Sequence, residues 1–261
     1  MALHWSTRYI SSYLPQELAD DMIAAYFEDG TSVQGDLMVE SDETKSVMRV
    51  NLLTAEENRL DLIPLAPVNI TMSYFREQAR FIRGKYHPSV KLCPPEEYTS
   101  FIIAMADICD PENPETWKFG LSAALWGSSE QPPTNKERVK LFESCAANYC
   151  ESLKPAALWL PDDTFIPPDV FHVCTNPVKW DNHNGRTTIA GDAAHPISPF
   201  RGQDLNNALQ DAALYIGAIR AVVSSAKSLE EAVSECDAEI LERSREEIGV
   251  SNVQTNVYIW P

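Results

Sequence analysis

Gly191-Asp-Ala-Ala-His-Pro-Ile-Ser-Pro-Phe-Arg-Gly-Gln-Asp-Leu-Asn-Asn-Ala-Leu-Gln-Asp211-Ala212 is the stretch on which the reading of this chain turns. The residues just before it, Arg186-Thr-Thr-Ile-Ala190, form a short strand by composition, and Gly191-Asp192 ends it. A proline-containing loop then runs to about Gly202. Beyond the loop, Leu205, Ala208, Leu209, Ala212, Ile216, Ile219 and Val223 recur at helical spacing. They predict a long amphipathic helix. A strand would thus deliver the Asp192 carboxylate to one side of a crevice, and a helix N-terminus would bring amide donors and a positive dipole end to the other. A plain strand-to-helix turn with Asp192 as a cap accounts for the same spacing.

Outward from this stretch the chain alternates between strand and helix signals. After it, Ser228 and Glu231 form a capping box before a helix that turns Leu229, Ala232, Val233, Cys236 and Ile240 inward. Before it, Thr134-Asn-Lys-Glu137 is a second capping box, opening a helix with Val139, Phe142, Ala146 and Tyr149 near one stripe. Trp117, Phe119, Leu121, Ala123 and Leu125 alternate with Lys118, Gly120, Ser122 and Ala124, the pattern of a half-buried antiparallel strand. Tyr98 to Ile108 is another strand, and the span from about 58 to 76 is β-rich but interrupted by prolines. Asp29-Gly30 marks a hairpin turn whose returning strand is expected through Leu37, Met38 and Val39. Pro15 to Tyr26 reads as a short helix. The fold class is therefore α/β in the mixed (α+β) sense, with antiparallel strands in the middle and helices at the end.

Composition removes whole classes of function. The 261 residues carry 21 Lys and Arg against 38 Asp and Glu, a formal charge of −17. Such a chain repels nucleic acid and anionic membrane surfaces. No apolar run reaches the roughly 18 residues of a membrane-spanning helix, and no secretory signal opens the chain. Six scattered cysteines without a C-x-x-C pair read as reduced thiols of a cytoplasmic protein, with no metal site expected. The ten glycines include no two separated by a single residue, so no G-x-G-x-x-G dinucleotide loop exists here. P-loop, G-x-S-x-G and H-E-x-x-H signatures are absent as well.

The wording of the 191–212 stretch closely resembles the second flavin-binding motif of the PHBH-like (class A) FAD-dependent monooxygenases, GDAAHPxxPxxGQGxNxAxxDA. Gly191, Asp192, Ala193, Ala194, His195, Pro196, Pro199, Gly202, Gln203, Asn206, Ala208, Asp211 and Ala212 match it in register. Thr187-Thr-Ile-Ala190 is similar to the strand before that motif, while Asp110–Trp117 and Trp159–Asp163 look like segments of fungal members. Phe27–Val39 looks like the hairpin that leads to a further signature, G-A-D-G-x-x-S-x-V-R. That signature stands here as Glu40-Ser-Asp-Glu-Thr-Lys-Ser-Val-Met-Arg49, keeping Asp42, Ser46 and Arg49 but carrying glutamates for both glycines.

The resemblance implies a remnant of the PHBH-like fold. Residues 1–50 would be part of an FAD-binding domain lacking its first dinucleotide-binding unit, 51–178 a substrate-binding sheet domain, and 179–261 the flavin-contacting loop and C-terminal helices. It implies FAD as cofactor, with NAD(P)H as reductant and a small organic substrate from secondary metabolism or aromatic catabolism. The implied FAD-binding residues are Asp192, His195, Pro199, Gly202, Gln203, Asn206, Asp42 and Arg49; no catalytic residue is assigned. His195 belongs to the flavin loop on this reading rather than acting as a general base, and an ordinary surface ion pair between Asp42 and Arg49 is an equal alternative. Without a pyrophosphate loop, and with Asp204 where the family has glycine, FAD is expected to be held weakly or lost. A cofactor-free isomerase or cyclase, or a non-catalytic remnant using the same pocket, are the rival readings.

Overall fold

The computed structural model describes residues 9–13, 22–85, 89–92, 99–147, 154–161 and 163–259. The chain divides into two compact units, one built from residues 1–61 with 172–257, the other from Leu62–Phe171.

In the first unit, β1 (Tyr9–Tyr13), β2 (Ile23–Phe27) and β3 (Ser32–Gly35) form an antiparallel sheet in that order. The β2–β3 turn is the one expected at Asp29-Gly30. Gly30 adopts φ +82°, open to glycine without strain, and Asp29 accepts hydrogen bonds from the amide and hydroxyl of Thr31. The expected helix from Pro15 is corrected over Ile23–Tyr26, which is strand; residues 15–21 lie outside the described residues. The returning strand is also corrected, because it ends at Gly35. Met38–Glu40 is a separate strand, β4, pairing parallel with a strand from the far end of the chain. The six-residue helix α1 (Val47–Leu52) follows.

The short strand β5 (Asp61–Leu62) leads into the second unit. There β6 (Leu65–Met72), α2 (Arg76–Lys85), β7 (Ser89–Leu92), β8 (Thr99–Ile108), β9 (Trp117–Trp126), α3 (Asn135–Ala147) and α4 (Lys154–Leu158) succeed one another. The sheet is antiparallel with order β6-β9-β8-β7. Register places Ile70 opposite Leu121 and Ile103 on its other side, while Val68, Ala123 and Phe101 form the next row. These inward residues meet Phe142, Cys145 and Ala146 of α3 and Ala156 and Ala157 of α4 in one core. Pro67 sits in β6 because that strand is an edge, where a missing N–H breaks no ladder bond. The alternation read from Trp117 holds through Ala123 and then shifts, since Ala124 and Trp126 are buried and Leu125 only partly so. α3 opens with the expected capping box: Glu137 Oε2 accepts from the Thr134 amide at 3.1 Å, and the Glu137 amide donates to Thr134 Oγ1 at 3.3 Å. α2 begins where the β-rich span of about 58 to 76 ends, in a stretch for which no element was read. Its local signal is Gln78, whose side chain accepts from the Phe75 amide at 3.2 Å and fixes the helix start.

The chain returns to the first unit through β10 (His172–Val173), which pairs with β5, and β11 (Thr187–Ile189), which runs parallel to β4. α5 (Asp204–Val223) and α6 (Leu229–Ile259) complete it. α6 buries Ala232, Val233, Cys236 and Ile240 as the spacing predicts. α5 is the long amphipathic helix that was expected, and the face it buries is the polar one. Its buried residues are Asn207, Asp211, Tyr215 and Ala218, whereas Leu205, Leu209, Ile216, Ile219 and Val223 are exposed. The inner face is polar because it satisfies a hydrogen-bond network around β11, in which Asp237 Oδ1 accepts from Thr188 and Tyr215 at 2.7 and 2.8 Å. Among the described residues no helix is long and apolar enough to cross a membrane. Cys145, Cys174 and Cys236 are buried free thiols, and Cys109 is an exposed one.

Candidate functional site

The 191–212 stretch folds as read: strand end, loop, helix start. Gly191–Ala193 turns at the end of β11 with Gly191 at φ +57°, and a Cβ there would come within 3.4 Å of the Ala208 side chain. Pro199–Arg201 makes another tight turn, and Gly202 takes the left-handed conformation at φ +63° before α5 begins. Gln203 stands at the N-cap without a side-chain cap bond; its side chain accepts from Asn206 Nδ2 at 3.0 Å. Asp192 caps no helix, so the plain-turn alternative loses its capping role for this residue.

Behind the loop lies a buried network centred on Asp211. Its carboxylate, fully buried, accepts from the Gly191 amide at 2.8 Å, pairs with His195 Nε2 at 2.7 Å and is bonded by Arg243 from α6. Arg243 also donates to Asn207 Oδ1 and to Glu239. Burial pushes the Asp211 carboxyl up, but its bond from His195 and the His195 charge, with the Gly191 amide and Arg243, hold it below the ordinary value. His195 is 2% exposed and turned toward Asp211. A general base must reach substrate, so this placement suits fixing the loop.

Arg49 is a second anchor. It is 2% exposed, and its Nη1 donates to the carbonyl oxygens of Ala193 and Ala194, each at 3.0 Å, while Nε donates to Asn58 Oδ1 at 2.9 Å. The surface Asp42–Arg49 ion pair is therefore corrected. Asp42 is exposed, and its Oδ2 accepts from the Val47 amide at 3.5 Å. Arg49 reaches the 191–202 loop through the backbone of Ala193 and Ala194. Asp211, Asn207 and Arg243 went unassigned in the sequence. Asp211 stood within the motif, whereas Arg243 lies 32 residues further on with no local signal.

Three further carboxyl groups near this loop are raised above their ordinary values. Burial and then the neighbouring Asp192 raise Asp204, the first residue of α5, to about 6, and its Oδ1 has no hydrogen-bond partner. Asp192 itself is raised, chiefly by burial. Glu40, standing where the resembled signature has glycine, is buried with Oε2 accepting from the Met48 amide at 2.6 Å. Burial and the adjacent Asp42 carboxyl raise it to about 8. A raised carboxyl retains its proton on folding, so its contribution is present at low pH and is lost as pH rises through the folded value. Urea unfolding is thus expected to show stability declining from about pH 5 to about pH 9. Glu40→Gln should flatten that decline; an unchanged slope would show that Glu40 titrates normally.

The loop, the left-handed Gly202 and the open amide end of a twenty-residue helix fit the polar edge of a ring ligand. Residues 166–241 match the FAD binding domain family. The FAD-dependent monooxygenase phnB of Penicillium herquei is 33% identical over 234 residues, covering 88% of this chain and 56% of that protein. The FAD-dependent monooxygenase dbaB of Emericella nidulans is 31% identical over 216 residues, covering 78% and 54%. Among solved structures, Klebsiella pneumoniae HpxO complexed with FAD and uric acid superposes with a TM-score of 0.71 at 16% identity, over 97% of this chain and 58% of that one. Pseudomonas aeruginosa PqsL in complex with 2-aminobenzoylacetate gives 0.66 at 14%, over 97% and 63%.

The curated proteins that this chain matches are FAD-dependent monooxygenases of fungi, and the matched segment 166–241 carries the FAD binding domain. The chain spans little more than half the length of the curated relatives it matches.

Proposed function

We propose that this chain supplies the flavin-edge loop and the substrate unit of an FAD-dependent monooxygenase acting on a small organic molecule in the cytoplasm. The observation that carries the reading is the 191–206 loop: its wording matches the family, and it is braced from behind by Arg49 and the Asp211 network. Asp192, Pro199, Gly202, Gln203 and Asn206 would meet the flavin end of FAD, with the α5 amides facing its polar edge. His195, Arg49 and, through the start of α1, Asp42 would act by holding the backbone that does so. When bound, FAD reduced by NAD(P)H supplies the oxygen-activating chemistry; the protein's share is position, exclusion of water and electrostatics. The sheet unit 62–171 would hold the organic substrate. Fluorescence titration with FAD tests the reading: saturable quenching that Asp192→Ala weakens supports it, and quenching indifferent to that change counts against it.

Asp204 sets the sharpest prediction from this reading. Its raised carboxyl at about 6 is charged at neutral pH, where it lies near Asp192 and would oppose an anionic cofactor. It does not occupy the N-cap, so helix capping does not explain its presence. Asp204→Gly is expected to tighten FAD binding roughly five- to hundredfold at about pH 8, equivalent to about 1–3 kcal/mol for a partly screened like charge. The wild type should bind more tightly at about pH 5 than at about pH 8, since protonation removes the same repulsion. Equal affinity for wild type and variant at both pH values would remove Asp204 from the site.

A further inference from the structure

Past Arg243, α6 continues to Ile259, and three side chains of this extension meet the far limb of the loop, Ile197–Arg201. Glu247 Oε2 accepts from Arg201 Nη1 at 2.6 Å, the two side chains being 26% and 22% exposed. Ile248 packs with Ile197 and Cys174 in a small buried cluster. The Thr255 hydroxyl is hydrogen-bonded to Ser198 Oγ at 2.6 Å and to the Ser251 carbonyl oxygen at 2.8 Å. Ser198 and Thr255 are both buried. Positions 247, 251 and 255 stand one turn apart and so share a face. From Glu247 to Thr255 that face runs about 12 Å along the helix axis.

Packing alone does not call for these residues. Threonine is a poorer helix former than leucine or alanine, and a buried hydroxyl is costly unless it is bonded. A pair of apolar side chains at 198 and 255 would join loop to helix without either cost. What a hydrogen bond and a charge-assisted bond add is direction, since each fixes a distance and an angle where apolar contact permits sliding. The turn itself is closed by a backbone bond from the Gly202 amide to the Pro199 carbonyl oxygen at 3.1 Å, which does not set where the turn stands beside α5. The near limb is already tied to α6, because Arg243 bonds Asp211 and Asp211 holds Gly191 and His195. One helix therefore grips the loop on both sides of its left-handed Gly202 pivot.

We infer that Thr255 and Glu247 are positioning residues, which fix the Ser198–Gly202 turn at the place where Gly202 and Gln203 meet the ligand. Thr255 acts through Ser198 and Glu247 through Arg201, and neither touches the ligand itself. Arg201 is the single Lys or Arg between Gly191 and Gln203, so Glu247 also keeps the loop's cation directed toward α6. That the ligand is a flavin rests on the monooxygenase reading; the anchoring of the turn does not. All of these residues belong to the first unit.

Hydrogen exchange of the full chain without added flavin tests this, read by mass spectrometry on peptides from the loop and from the first half of α6. Thr255→Val keeps the shape of the side chain and removes its hydroxyl. It should speed exchange in the loop roughly tenfold while leaving the first half of α6 unchanged. Thr255→Ser should exchange as the wild type does, and Glu247→Gln should speed the loop by roughly threefold. Val253→Ala, at an exposed position on the same stretch of helix, should change neither peptide. A loop unaffected by Thr255→Val, or both peptides speeded alike as a general loss of stability would do, overturns the inference. Fluorescence titration gives the second readout: Thr255→Val should weaken FAD binding roughly five- to tenfold, with Thr255→Ser restoring it. Equal affinity for wild type and Thr255→Val overturns the positioning role. A wild type that shows no saturable quenching sinks the flavin reading instead, and the exchange comparison then decides the anchoring by itself.

Discussion

Asp211→Ala is expected to lower the unfolding free energy by about 3–5 kcal/mol, the range for removing one partner of a buried ion pair. The carboxylate is fully buried and holds three groups at once: the Gly191 amide, His195 and Arg243. Its loss leaves a buried amide and imidazole unpartnered, each a penalty of about 1–3 kcal/mol. Arg243 keeps Glu239 and Asn207, which limits the damage on that side. Urea denaturation monitored by tryptophan fluorescence measures the loss; a change below about 1 kcal/mol would show that the network relaxes without its centre. The acid limb gives a second measurement. Because the folded carboxyl is held below its ordinary 3.8, its stabilising contribution is in place above that value and is lost as pH falls through the lower folded one. Asp211→Asn should therefore show a shallower decline of stability on acidification than the wild type.

Phe119→Ala should cost about 3–5 kcal/mol as well, for a different reason. The ring is 1% exposed and meets Tyr74 edge-on with centroids 5.4 Å apart. Register places it between Met72 on β6 and Met105 on β8. Truncation there opens a cavity that β9, paired on both sides, cannot close by moving. The thermal midpoint and urea midpoint should both fall, whereas Lys118→Ala on the solvent side should change stability by less than about 0.5 kcal/mol. Comparable losses at the two positions would mean the faces of β9 have been assigned the wrong way round.

The wording of the sequence alone identified the strand, loop and helix order of 186–223, the hairpin at Asp29-Gly30, the start of α3 and the family. Each rests on interactions between near neighbours: a glycine's positive φ, a reciprocal bond between Thr134 and Glu137, a gap-free motif. The period of α5 was legible for the same reason, but its orientation was not. An apolar stripe fixes that a helix is amphipathic, while which face turns inward depends on what stands opposite, and opposite α5 stand Thr188, His195, Asp237 and Arg243. The parallel pairing of Met38–Glu40 with Thr187–Ile189 was equally hidden, because its partner lies some 149 residues away. Arg49 shows the limit most plainly. Its place in a signature was readable, but only the tertiary structure put its guanidinium under the carbonyls of Ala193 and Ala194, since nothing local in the sequence encodes a contact between groups 144 and 145 residues apart.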